Sequence, residues 1–87
     1  MPYIEPKDRL KFSPVLSKIN KLFQQDITAG DLNFLITKIL HNYAQVNKYR
    51  YLTFCTVMGT LICVAFEFYR RVVSPYEDEK IKENGDV

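Results

Sequence analysis

Tyr51-Leu-Thr-Phe-Cys-Thr-Val-Met-Gly-Thr-Leu-Ile-Cys-Val-Ala-Phe66 carries no charged side chain, and Glu67-Phe-Tyr-Arg-Arg71 follows at once. A helix over 53–73 accounts for this pattern. Its first two-thirds are apolar nearly all round, which requires burial on most faces. Gly59 costs about 1 kcal/mol against Ala in a helix interior. A residue of that cost belongs where another helix approaches closely. The sixteen uncharged residues 51–66 span about 24 Å at 1.5 Å per residue, short of a hydrocarbon core of roughly 30 Å. The expectation is therefore a packed central helix and not a membrane span.

The flanking sequence supplies shorter helices. Ser13-Pro14 resembles a helix start, with Ser as cap and Pro in the first turn. Val15, Leu16, Ile19, Leu22 and Phe23 then recur at three-and-four spacing, predicting an amphipathic helix over 14–25. Residues 1–12, broken by Pro2 and Pro6, form an arm. Thr28 and Asp31 make a capping box for a helix over 29–46, with Leu32, Leu35, Ile36, Ile39, Leu40 and Tyr43 on one stripe. Ser74-Pro75-Tyr76-Glu77 repeats the start signal for a short helix over 75–83, and Asn84-Gly85 stops it. The fold class is all-α: a small bundle of three main helices plus a short C-terminal helix in a single domain, 1–87.

Composition points to assembly. Hydrophobic residues are 47% of the 87, with six Tyr and six Phe. So short a chain has a thin core, so the surplus is expected to be buried between copies in a homo-oligomer. Net charge is +2, too weak a bias for duplex nucleic acid. Cys55 and Cys63 sit eight residues apart, about 12 Å along a helix, too far to bridge within one chain. They are expected as buried small hydrophobes in a reducing compartment. With no signal peptide visible, cytoplasm is the expected location.

Two basic-aromatic groups carry what recognition chemistry there is. Lys48-Tyr49-Arg50-Tyr51 precedes the central helix, and Glu67 to Arg71 closes it. Arg50, Arg70 and Arg71 can pair with phosphate or carboxylate, while Tyr49, Tyr51, Tyr69 and Tyr76 can wall a planar ligand. Glu67 also pairs with Arg71 at four-residue spacing. In an antiparallel pair of subunits, residues 48–51 of one copy meet 68–71 of the other, forming a shared pocket. No catalytic set, metal-ligand spacing or phosphate-cradling glycine loop is present, so no enzyme, metal or cofactor is expected. His41 stands alone on a polar helix side. Glu77, Asp78, Glu79 and Glu83, interspersed with Lys80 and Lys82, form a solvated tail helix.

Met-Pro-Tyr-Ile at 1–4, Ala29-Gly-Asp-Leu-Asn-Phe-Leu-Ile-Thr37, and above all Glu67-Phe-Tyr-Arg-Arg-Val-Val-Ser-Pro-Tyr-Glu-Asp-Glu-Lys-Ile-Lys-Glu-Asn-Gly-Asp-Val87 resemble a family of small bacteriophage and prophage proteins of unknown function. The resemblance covers nearly the whole chain and implies a phage-encoded cytosolic protein, with no site residues to carry over. In that family the stretch equivalent to 54–66 is amphipathic and charged. Here it is uncharged, which implies a more apolar partner surface. The expected function is non-enzymatic: sequestering a small anionic or nucleotide ligand between subunits, in the manner of a host-defence evasion protein. Inhibition of a host protein is the second reading, and a structural or assembly role the third.

Overall fold

The computed structural model describes residues 3–87, and the described residues are all helical or connecting, with no strand. Met1 and Pro2, the start of the expected arm, lie outside them. Two compact units divide the chain, Met1–Tyr49 and Arg50–Val87.

In the first unit, α1 (Pro6–Arg9) passes through a 3-10 turn (Leu10–Phe12) into α2 (Ser13–Phe23). The arm is therefore helical from Pro6 onward. Ser13 is not a cap. A cap residue has extended backbone, whereas Ser13 has φ −54 and ψ −44 and its N–H donates to Leu10 O. Glu5, with extended backbone, is the cap of the run, and Pro6 takes the first turn. α3 (Ala29–Val46) matches the expected bounds. Its capping box is complete: Asp31 N–H donates to Thr28 Oγ1 at 3.0 Å, and Thr28 N–H donates to Asp31 Oδ2 at 3.1 Å. At its far end Asn47 N–H donates to Tyr43 O at 3.0 Å. Lys48 follows with φ 68, a left-handed position where glycine is the usual residue.

The second unit is one unbroken helical run of 34 residues, Tyr51–Asn84. It comprises α4 (Tyr51–Phe68), a π-helical segment (Tyr69–Val73) and α5 (Ser74–Asn84). The expected break at Ser74-Pro75 is absent. Ser74 makes no cap hydrogen bond and has helical backbone; its N–H donates to Tyr69 O, five residues back. Proline supplies no N–H and its ring crowds the carbonyl four residues earlier. Widening the preceding turn re-pairs those carbonyls without ending the helix. The same logic, with tighter 3-10 winding, applies before Pro14. Gly85, with φ 86, ends the run, and its N–H donates to Ile81 O at 2.8 Å.

Among the described residues only Ala44 and Thr53 are buried. The expected burial of α4 on most faces does not occur in the single chain: Phe54, Met58, Ile62, Val64 and Phe66 are all exposed. Cys55 and Cys63 are exposed free thiols, not buried ones. A chain of this size has too little other apolar surface to enclose such a helix. By length and composition Tyr51–Asn84 is able to cross a membrane, with mean hydropathy 1.7 in its best window.

Candidate functional site

The π segment positions the basic-aromatic cluster. Tyr69, Arg70 and Arg71 occupy its first three places. π-helical turns are rare and concentrate at functional sites; here Pro75 supplies the local cause. Glu67, one turn earlier, is three-quarters covered at its side chain, whereas Arg70 and Arg71 are largely exposed. Arg70 Nη2 donates to Glu67 Oε1 at 3.0 Å and to Oε2 at 3.2 Å. Arg71 Nε stands 3.9 Å from the same Oε1. The favoured partner of Glu67 is thus Arg70 at three-residue spacing, ahead of the expected Arg71. Both spacings put side chains on neighbouring helix positions. Both guanidiniums approach the one Glu67 carboxylate and stay largely exposed to solvent.

Tyr69 and Tyr76 do not meet each other over the arginines. Tyr69 Oη donates to Glu77 Oε1 at 2.5 Å. This bond raises the tyrosine's pKa above its ordinary value, helped by the charge on Glu77 and, last, that on Asp78. The Tyr76 ring instead receives the Lys80 ammonium at 5.5 Å from its centroid. Glu77 was expected in a capping box; it serves Tyr69 because Ser74 is inside the helix. That contact had no sequence signal beyond Pro75 itself.

The other expected residues lie elsewhere. Arg50 is the extended residue that opens α4, and its carbonyl accepts from Phe54 N–H at 3.0 Å. Its positive charge sits at the positive end of the helix, an unfavourable place for a cation. Tyr51 is the first helical residue and 82% exposed. Nineteen residues of helix separate Tyr51 from Arg70, about 28 Å, so a single chain does not bring these two ends together. Tyr49 ends the first unit and is exposed.

A groove of about 380 Å³ lies in the first unit beside the α2–α3 connection, lined mainly by Leu22, Phe23, Ile27, Phe34 and Leu35. Of its two carboxylates, Asp26 lies on the α2–α3 connection and Asp31 is committed to the capping box. Among the described residues no three His, Cys, Asp or Glu side chains gather to hold a metal ion.

No curated protein and no solved structure matches the chain. A family model matches residues 1–87, and the chain belongs to that family, described as a domain of unknown function (DUF6899).

Proposed function

We propose that the protein is a non-enzymatic binding protein that works as a homo-oligomer and takes a small anionic ligand, of nucleotide type, at the ends of its long helix. The observation that carries this reading is the pair of exposed guanidiniums, Arg70 and Arg71, sharing the single carboxylate of Glu67. Phosphate oxygens suit such donors in number and geometry. Tyr51 and Tyr69 supply exposed aromatic surface, each at one end of the helix. The phage origin implied by the C-terminal sequence, and a role in evading host defence, belong to the same proposal, as does a cytoplasmic site of action.

Thermal unfolding with inorganic pyrophosphate and a panel of nucleoside phosphates and cyclic nucleotides tests it. A ligand that binds only the folded state raises the melting temperature by mass action, by several degrees at concentrations well above Kd. The Arg71→Ala variant should lose that shift while unfolding normally without ligand. No shift with any of these compounds removes the reading.

Inhibition of a host protein is the second reading. It rests on the α3 stripe, where Leu32, Ile36, Ile39 and Tyr43 remain exposed. Specific capture of one host protein, abolished by Ile36→Asp, with no nucleotide-dependent shift, would favour it.

A further inference from the structure

α2 sorts its residues by face and by charge. On a helix of 3.6 residues per turn, Val15, Leu16, Ile19, Leu22 and Phe23 fall within an arc of about 120°. Phe12, on the 3-10 turn, precedes them. Leu22 and Phe23 reach the groove beside the α2–α3 connection. The middle of the stripe faces solvent: Phe12, Val15 and Leu16 are 41%, 48% and 58% exposed. Lys18 lies about 60° beyond Val15 on one flank of this stripe, and Lys21 about 60° further round. Ser13, Ser17 and Asn20 occupy the remaining side. From Arg9 to Gln25 the chain carries Arg9, Lys11, Lys18 and Lys21 and no Asp or Glu. Among the described residues Lys11, Lys18 and Lys21 are exposed and none is held in an ion pair. Lys11 Nζ lies 5.2 Å from the centroid of the Phe12 ring, an ammonium beside apolar surface with its charge still at solvent.

The occupant of such a face must offer an apolar layer with anions along its border. The other helices lack this combination. The α3 stripe has Asp31 at its start and one lysine, Lys38, along its length, and α4 has no charged residue before Glu67. A helix with one apolar face, a cationic flank and low overall hydrophobicity settles in the plane of a membrane surface, its apolar side among the acyl chains and its lysines at the headgroups. Anionic phospholipid headgroups draw basic segments to the cytoplasmic leaflet. An acidic protein segment offers the same charge, but it would need a shaped cavity for its anchors, and the middle of the α2 stripe is a convex helix surface. We infer that α2 docks on an anionic phospholipid surface, with Phe12, Val15, Leu16 and Ile19 entering the interface and Lys11, Lys18 and Lys21 meeting the lipid phosphates. The chain then lies on the membrane through its first unit without spanning it. This surface goes beyond the proposed ligand site and is independent of it, because α2 carries none of that site's arginines or tyrosines.

Co-sedimentation of the full chain with lipid vesicles, without nucleotide, tests the inference. Vesicles of phosphatidylcholine mixed with phosphatidylserine should carry the protein down, and phosphatidylcholine alone should carry at least tenfold less. Added salt should release it, because screening shortens the reach of the lysine charges. The double variant Lys18→Glu/Lys21→Glu should lose binding at least tenfold, and the charge-neutral Lys18→Gln/Lys21→Gln should lose less. Leu16→Ser removes exposed apolar surface and should also weaken binding with the lysines intact. Circular dichroism checks that all three variants stay helical, and the melting-temperature shift with nucleotides, if present, should be unchanged in them. Equal binding to neutral and anionic vesicles points to insertion of α4 and overturns the inference. So does a Lys18→Glu/Lys21→Glu variant that binds like the native chain. A native chain that ignores vesicles overturns it too, and if that chain instead binds polyglutamate, an acidic protein is the partner of α2.

Discussion

Tyr69 and Glu77 are joined across the Pro75 turn by a hydrogen bond of 2.5 Å from phenol to carboxylate. The phenol donates only while protonated, and its folded-state pKa lies above the ordinary value of 10.0. The contribution to stability is therefore complete below about pH 10, and is lost as pH rises through the raised folded-state value. In a spectrophotometric titration the ionisation of Tyr69 should be displaced to higher pH. Glu77→Gln should bring it back toward the ordinary value.

The π segment exists because Pro75 lies inside a helix. Pro75→Ala restores an N–H and should convert Tyr69–Val73 to ordinary α-helix. Proline costs about 3 kcal/mol in a regular helix interior, and the wide turn already offsets part of that. A gain of roughly 1–2 kcal/mol is expected in urea unfolding. The same variant should abolish the late tyrosine ionisation, because Tyr69 and Glu77 lose their relative placement.

Thr28 and Asp31 close the start of α3 with two reciprocal bonds. Thr28→Ala should cost about 1 kcal/mol. Lys48 pays the opposite kind of debt, holding φ 68 without being glycine. Lys48→Gly should stabilise by up to about 1 kcal/mol, less what the more flexible unfolded chain takes back. Chemical denaturation of the two variants should show midpoints displaced in opposite directions.

α3 was fully legible in the sequence because its capping chemistry is local: Thr28 and Asp31 need only each other. The two Ser-Pro signals misled for one shared reason. Serine caps only where the backbone is extended, and both Ser13 and Ser74 sit in continuing helical runs. No local pattern separates a proline that opens a helix from one that a 3-10 or π turn accommodates. Glu67 with the arginines was legible as a cluster, since helical spacing fixes it. The attachment of Tyr69 to Glu77 was not, because it depends on the π turn. The apolar stretch of α4 was legible as a helix, but its expected burial does not occur in the chain, where Phe54, Met58 and Phe66 remain exposed, because so short a chain has too little other apolar surface to enclose it.

The proposed function stands on a second copy covering the exposed apolar surface of α4. Burying Leu52, Ile62 and Phe66 contributes about 1.5–3 kcal/mol each when complete. Gly59→Leu adds about 1 kcal/mol of helix propensity to the free chain, yet puts a side chain at the position expected to receive a second helix. Molar mass from light scattering in detergent-free buffer separates the two effects. The native protein should show an even multiple of the 10.2 kDa chain, and Gly59→Leu should fall to a lower mass with its helicity retained. A native protein that is a single 10.2 kDa species, or a Gly59→Leu variant of unchanged mass, would contradict the account.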